Sequence, residues 1–108
     1  MAGVDQVDRI AAVDNIDLLW IGHFDLTNSL GIPSQFEHPA HLEAVDRVLA
    51  ACRQHGKTAG FMVASAEEAR AKLEQGFGCI AFWSDTWIYQ QALSAGLNSI
   101  RSQTARAE

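Results

Sequence analysis

The chain has 108 residues, with 8 Lys and Arg against 13 Asp and Glu, so its formal net charge is −5 at pH 7. Hydrophobic residues make up 48% and charged residues 19%, which is typical of a single globular domain and too apolar for a disordered chain. The acidic balance argues against nucleic acid as a partner, because such binding requires a basic face.

Membrane and secretion signals are not expected either. The longest run free of polar residues, Gly76–Trp83, is far shorter than the roughly 18 residues of a membrane span. The sequence starts without the basic and apolar regions of a signal peptide. Two cysteines, Cys52 and Cys79, are too few for a disulfide framework, so we expect reduced thiols in a cytoplasmic compartment.

The first third of the chain predicts a helix, a strand and a loop. Apolar residues at helical spacing (Val4, Val7, Ile10, Ala11) predict an amphipathic helix over about the first ten residues. The apolar run Leu18–Ile21, ended by Gly22, predicts a strand that is buried on both faces, as in a parallel sheet. Polar residues, Gly31 and Pro33 make His23–Phe36 a predicted long loop.

The middle of the chain repeats this alternation. Pro39 suits the first position of a helix that Gly56 ends, with a buried stripe predicted at Leu42, Val45, Val48, Leu49 and Cys52. Thr58–Val63 is a predicted strand. Ser65 and Glu68 match a capping box at the start of a short helix that runs to Gln75 and ends at Gly76.

A third strand and a last helix complete the pattern. Cys79–Phe82 is a predicted buried strand, and Ser84, Asp85 and Thr86 offer oxygens to cap a helix lined by Ile88, Ala92, Leu93, Leu97 and Ile100. The polar residues 102–108 are expected to form a frayed tail of this single domain, 1–108. Helix–strand alternation predicts an α/β fold with parallel strands, yet three strands are too few for a closed barrel or a doubly wound sheet. We therefore expect part of a larger sheet.

Candidate chemistry lies after the strands, since ligands of parallel α/β folds bind at the carboxyl ends. Asp25, a few residues past the first strand, can hold a divalent cation or can cap its own turn. His23 can be a ligand, a base or a plain loop residue. Asp85 is explained as a helix cap, with a substrate contact as the alternative.

Other polar and aromatic residues have simpler interpretations. His38 and His41 are expected on a helix surface, and Cys52 and Cys79 are expected to be small buried residues. The tryptophans are expected in the core or at an interface, namely Trp20, Trp83 and Trp87. Phe24 and Phe36, placed in a predicted polar loop, favour contact with a ligand or a neighbouring subunit.

One stretch carries a family resemblance. The segment Ile21-Gly-His-Phe-Asp-Leu-Thr-Asn-Ser-Leu-Gly31 resembles the I-G-P-x-D-L-(S/T)-x-S-(L/M)-G signature of the HpcH/HpaI-type metal-dependent 2-oxo-acid aldolases, which include 4-hydroxy-2-oxoheptanedioate aldolases and macrophomate synthase-like relatives. The resemblance continues through His38-Pro39, Gly56–Gly60 and Ser84–Thr86, and it covers about Val4 to Ile100.

The resemblance implies a (β/α)8 barrel in which a divalent metal (Mg²⁺, Mn²⁺ or Co²⁺) holds a pyruvate-type 2-oxo acid and stabilises its enolate. Asp25 matches the family's metal ligand. The backbone amides of Phe24 and Asp25 match those that hold the pyruvate carboxylate, and Met62 or Val63 matches a residue that lines the substrate pocket. Family members form homo-oligomers in which the last helix, here Thr86–Ile100, packs on a neighbouring subunit.

His23 departs from the family pattern, which has Pro at this position. The family's second metal ligand falls just before Met1, and its Arg and its His-Asp base pair fall further upstream. The chain thus resembles about the last three βα units of the barrel, contains none of the family's catalytic residues and is expected to be impaired in aldol chemistry. A non-catalytic α/β module that acts in oligomer assembly is the alternative, and a small flavodoxin-like or receiver-like domain is a weaker one.

Overall fold

The computed structural model describes residues 2–104. Within this range the helices and strands follow one another as α1 Ala2–Asp5, α2 Val7–Ala11, β1 Leu18–Ile21, α3 His23–Ser29, α4 Pro39–Gln54, β2 Thr58–Val63, α5 Ala66–Gln75, β3 Cys79–Phe82 and α6 Asp85–Thr104. No helix in the described range combines the length and the hydropathy that crossing a bilayer requires.

The three strands form one parallel sheet in the order β1-β2-β3. Trp20 on β1 pairs with Gly60 on β2, which in turn pairs with Cys79 on β3. The bounds of all three strands agree with those predicted from the apolar runs. The predicted α/β class with parallel strands is therefore confirmed.

The core lies between one face of this sheet and the helices α2, α4 and α5. The sheet contributes alternate buried residues (Leu19, Ile21, Ala59, Phe61, Val63), and α4 contributes Val45, Val48, Leu49 and Cys52. The prediction that β1 is buried on both faces is wrong, because Leu18 and Trp20 are exposed. The described helices cover one face of the sheet and leave the other open.

Two predictions about the first third of the chain need correction. The N-terminal helix is broken at Gln6 into α1 and α2.

The predicted loop over residues 23–36 begins instead with a helix, α3. In this helix Thr27 is fully buried, and its hydroxyl group donates to carbonyl oxygens of the first turn, His23 O and Phe24 O. Its polar residues Asn28 and Ser29 lie in the last turn, where the helix ends before Gly31 at φ +73°.

Helices α4 and α5 begin and end where their capping residues predict. Pro39 is the first residue of α4, and Gly56 follows its end at φ +64°. Ser65 accepts a hydrogen bond from the Glu68 amide at 3.0 Å, and α5 ends at Gly76 with φ +113°. Leu42, predicted in the buried stripe of α4, is exposed, and Ala44 and Ala51 are buried there instead.

Helix α6 extends away from the rest of the molecule. Every residue from Asp85 to Gln103 is exposed, and the molecule measures 65 Å along its long axis against 28 and 22 Å across. The helix is longer than predicted and continues through residues 102–104, where the sequence suggested the start of a frayed tail. The rest of that tail, residues 105–108, lies outside the described residues.

Candidate active site at the carboxyl ends of the strands

A small pocket of about 180 Å³ opens where β1 ends. It is lined by the end of β1, the first turn of α3 and one residue of β2: Trp20, Ile21, Gly22, His23, Phe24, Asp25 and Met62. The structure thus brings together three of the residues that the sequence singled out for substrate binding. The fourth, Val63, is buried on the opposite face of the sheet from Trp20 and does not line this pocket.

Gly22 gives the Asp25 carboxylate its place at this pocket. Asp25 is in the first turn of α3, three residues after Gly22, which is the N-cap of the helix. A Cβ atom added to Gly22 would lie 2.9 Å from Asp25 Oδ2, which is closer than side chains approach one another. A glycine before the helix therefore lets the carboxylate fold back over the end of β1.

The donors at the pocket do not by themselves form a metal site. Among residues 2–104, no three His, Cys, Asp or Glu side chains are grouped as a metal ion would require. Asp25 is the carboxylate that lines the pocket, and Mg²⁺ or Mn²⁺ needs several oxygen ligands besides one carboxylate. Any cation bound here would need further ligands beyond this part of the chain, or water and substrate oxygens.

His23 turns its ring away from solvent and into a group of aromatic side chains. Its ring stacks on Phe61 of β2 at a centroid distance of 4.7 Å and an angle of 17°, and Phe24 and Phe36 contact it at 4.5 and 5.1 Å. Burial lowers the pKa of the imidazole, which Glu68 opposes and the nearby His41 and Lys72 reinforce. The structure supports packing for this side chain, rather than a ligand or base role.

The two histidines at the start of α4 differ from expectation. His38 caps the helix, since its Nδ1 accepts a hydrogen bond from the Ala40 amide at 3.1 Å. His41 is 2% exposed, so its predicted place on the helix surface is wrong. Its Nδ1 lies 2.7 Å from the carbonyl oxygen of Phe36, and its position four residues before the buried Val45 is the sequence signal for burial.

The remaining candidates have structural explanations. Cys52 is buried, which raises the pKa of its thiol and disfavours the nucleophilic thiolate, and Cys79 is half-buried. Asp85 stands at the start of α6, where its carboxylate accepts hydrogen bonds from the Thr86 amide at 2.7 Å and hydroxyl at 3.3 Å. It does not line the small pocket.

A larger cavity of about 490 Å³ lies between α4 and α5, over β2. His41, Lys72 and Trp83 are among the residues that line it, and no pattern in the sequence groups them. Glu68 and Lys72, one helical turn apart on α5, were a signal for a shared face, but the pairing of that face with α4 depends on the tertiary fold.

Comparison with known proteins identifies the family of this chain. The model of the HpcH/HpaI aldolase/citrate lyase family matches residues 1–92. A 2-keto-3-deoxy-L-rhamnonate aldolase of Klebsiella pneumoniae is 33% identical over 105 residues, which is 97% of this chain and 39% of the relative. A 5-keto-4-deoxy-D-glucarate aldolase of the same organism is 33% identical over 83% of this chain and 35% of the relative.

Solved structures agree with the sequence matches. An HpcH/HpaI aldolase/citrate lyase family protein of Burkholderia cenocepacia superposes with a TM-score of 0.86 at 36% identity, covering 92% of this chain and 38% of the other. Macrophomate synthase superposes with a TM-score of 0.86 at 26% identity, covering 98% and 37%. The chain thus spans about two-fifths of the length of these relatives. It belongs to the HpcH/HpaI aldolase/citrate lyase family.

Proposed function

We propose that this chain forms the last three βα units of a (β/α)8 barrel in a divalent-metal-dependent 2-oxo-acid aldolase. Such an enzyme is a carbon–carbon lyase that cleaves a 4-hydroxy-2-oxo acid to pyruvate and an aldehyde. The observation that carries the proposal is the position of Asp25. Its carboxylate folds over Gly22 at the carboxyl end of a parallel strand, where barrel enzymes bind their substrates.

The open face of the sheet supports the barrel. Barrel strands carry helices on the outside and pack their inward side chains against the other strands. Here α2, α4 and α5 lie on one face, while Leu18 and Trp20 of the other face are exposed, Trp20 by 47%. That face and the free edges of β1 and β3 are suited to contact with further strands, and the relatives that match have more than twice this length.

The proposed reaction is a retro-aldol cleavage. The bond between C3 and C4 breaks, its electron pair stays on C3 as the pyruvate enolate, the C4 hydroxyl gives up its proton as the aldehyde forms, and C3 then takes a proton. A bound divalent cation supplies Lewis acidity that stabilises the enolate. In this scheme Asp25 contributes one ligand, the backbone N–H groups of Phe24 and Asp25 hold the pyruvate carboxylate, and Met62 lines the pocket; a direct role for Val63 is not proposed, given its place on the opposite face.

Proton transfer needs groups that the small pocket does not contain. Its described lining has one carboxylate and one histidine, and the histidine ring is packed against Phe61. A base and a cationic partner for the keto oxygen must therefore come from elsewhere in the complete barrel. We expect the isolated chain to be severely impaired as an aldolase.

The proposal is tested by titrating Mn²⁺ into the chain by isothermal calorimetry, with and without pyruvate. We expect binding that pyruvate strengthens, that Asp25→Asn weakens at least about tenfold, and that Asp17→Asn leaves unchanged. Asp17 is the matched control because it precedes β1 at the opposite end of the strand. Equal binding by the wild type and Asp25→Asn would remove the assigned role.

A second candidate, assembly of oligomers through α6, is favoured by the exposure of that helix. Its apolar residues Ile88, Leu93 and Leu97 are exposed by 44%, 49% and 42%. The outer side of β3 is also bare, since Phe82 is 55% exposed and Leu73 of α5 is 53% exposed. We propose that α6 packs on this bare surface of a neighbouring copy, in an aldolase or in a non-catalytic module.

Sedimentation velocity tests the assembly. We expect a dimer or larger oligomer for the wild type and a monomer for Leu93→Glu with Leu97→Glu, because two charges would enter the apolar contact. Gln91→Glu with Asn98→Glu places the same charges on the same helix at polar positions and is expected to keep the oligomer. A well-folded monomeric wild type would contradict the assembly. It would not affect the role proposed for Asp25, which the Mn²⁺ titration tests separately.

A further inference from the structure

The larger cavity, between α4 and α5, is built differently from the pocket at Asp25. Its side walls are faces of the two helices, with His41 and Val45 on α4 and Glu68 and Lys72 on α5, each pair one helical turn apart. Its volume of about 490 Å³ is within the range of small-molecule sites. His23, Phe24 and Met62 line both spaces, so the cavity lies directly behind the first turn of α3.

Three unpaired polar atoms border this cavity. His23 Nδ1, His41 Nε2 and Trp83 Nε1 are buried and have no hydrogen-bond partner among the described residues, and all three side chains line the cavity. Buried polar groups are paired in most proteins, because an unpaired one loses its hydration without compensation. An occupant of the cavity that offers both a donor and an acceptor supplies partners to two of them, His41 Nε2 and Trp83 Nε1.

The hydrogens on these atoms define what the occupant must offer. The Phe36 carbonyl can accept but not donate, so His41 Nδ1 carries the hydrogen in the 2.7 Å contact, and in a neutral imidazole Nε2 is then an acceptor. The indole Nε1 of Trp83 can donate but not accept. A hydroxyl group on a ligand suits either atom, because it can donate to the imidazole and accept from the indole.

The charged groups in the cavity walls are already engaged. Lys72 Nζ lies 4.5 Å from the centre of the Phe61 ring and donates to Gln75 Oε1 at 3.3 Å. Glu68 Oε2 accepts a hydrogen bond from the Ala64 amide at 2.8 Å. Glu37 also lines the cavity, so both signs of charge are present and a charged ligand would meet repulsion as well as attraction. An uncharged ligand fits this wall better.

We propose that this cavity binds a neutral aromatic molecule of one or two rings that carries a hydroxyl group. Aromatic side chains form much of its wall, with Phe24 and Phe36 edge to face at 5.1 Å and Trp83 and Trp87 edge to face at 5.5 Å. They offer both faces and edges to a planar ring. The nitrogen atoms are shielded, so a ligand reaches them only when neighbouring side chains move.

Three probes separate the hydroxyl contact from general apolar binding: 2-naphthol, 2-methoxynaphthalene, which cannot donate, and naphthalene, which has no polar group. Equilibrium dialysis is expected to give a dissociation constant for 2-naphthol about tenfold lower than those of the other two. The indole N–H proton resonance of Trp83, assigned by its loss in Trp83→Phe, is expected to shift with 2-naphthol and to stay in place with naphthalene.

Two substitutions provide a matched comparison. Trp83→Phe keeps a ring and removes the N–H group, so it is expected to weaken 2-naphthol binding about tenfold and to leave naphthalene binding unchanged. Trp20→Phe makes the same change on the open face of the sheet, outside this cavity, and is expected to change neither. Circular dichroism confirms that each variant is folded.

Several outcomes would overturn the proposal. These are equal binding of the three probes, no binding up to their solubility, and an unshifted Trp83 resonance with 2-naphthol. Loss of 2-naphthol binding when the chain self-associates would identify a second copy as the occupant and would equally overturn it. The site requires no metal, so its failure is separate from that of the Mn²⁺ experiment.

Discussion

The indole ring of Trp20 lies across Gly60 on the neighbouring strand. A Cβ atom at Gly60 would be 2.6 Å from Trp20 Cε3 and 3.1 Å from Cζ3, far inside van der Waals contact. The tryptophan ring therefore packs directly on the backbone of Gly60, on the open face of the sheet. Trp20 and Gly60 are also register partners in the pairing of β1 with β2.

Replacing this glycine is expected to move the ring. Gly60→Ala should lower the free energy of unfolding by about 1–3 kcal/mol, as overpacked sites do, and should alter tryptophan emission. Urea denaturation followed by fluorescence measures both. Gly96→Ala in α6, where an added Cβ meets nothing within 4 Å, is the control and should be stabilising by about 0.5–1 kcal/mol. An unchanged midpoint and spectrum for Gly60→Ala would contradict the close contact.

Substitutions at two further glycines are expected to separate Mn²⁺ binding at Asp25 from the free energy of unfolding. Gly22→Ala is expected to displace the Asp25 carboxylate and to weaken Mn²⁺ binding, while the free energy of unfolding changes little because Gly22 has φ −81°. Gly31→Ala should do the opposite, since φ +73° makes alanine unfavourable by about 1–2 kcal/mol at a position remote from the carboxylate. Calorimetric titration and urea denaturation of both variants measure this. Parallel losses in the two variants would contradict the separation.

The buried hydroxyl group of Thr27 is expected to be required for α3. It bonds to His23 O and Phe24 O at 3.0 Å each and accepts from the Ser34 amide at 3.2 Å. Thr27→Val keeps the shape but leaves that amide unpaired, so we expect a loss of about 1–3 kcal/mol in the free energy of unfolding. Thr86→Val, at an exposed position, should cost less. Amide hydrogen exchange across α3 should accelerate in Thr27→Val, and unchanged exchange would count against the role.

Cys52 provides a prediction about pH. Burial raises the pKa of its thiol above the ordinary value of 9.0, so the folded protein retains the proton at a pH where the unfolded chain loses it. Stability from this group is therefore full below pH about 9 and falls as the pH rises through the raised value. Denaturation midpoints measured from about pH 7 to about pH 10 should fall less steeply with rising pH for Cys52→Ala than for Cys79→Ala.

The same thiols should differ in reactivity. Cys52 is expected to resist a thiol reagent until the protein unfolds, whereas the half-buried Cys79 should react in the folded state. Equal rates in the absence of denaturant would show that the helix face carrying Cys52 opens readily.

The sequence predicted the local elements better than their surroundings. The strands were found to the residue because each is a continuous apolar run next to glycine or polar residues. Capping at Ser65 and Pro39 was equally local. Helix α3 was missed because Asn28 and Ser29 were interpreted as loop residues, although polar residues also suit a helix end, and because the burial of Thr27 depends on contacts that no single segment contains.

Part of the candidate site was also within reach of the sequence. Phe24, Asp25 and Met62 follow or end neighbouring strands, so parallel pairing alone brings them to one edge of the sheet. Val63, one residue further along β2, lies on the other face of the sheet, because successive side chains of a strand point to opposite faces. The burial of His41 and the cavity around it depend on how α4 and α5 face each other, which is a tertiary relationship.

The projecting helix α6 has a consequence for how this protein responds to dilution. If its exposed apolar side chains are covered only by another copy, part of the stability of each copy comes from association rather than from its own fold. The melting temperature would then rise with protein concentration, and a dilute sample would unfold at temperatures that a concentrated one withstands. Folding and encounter between copies would become a single equilibrium.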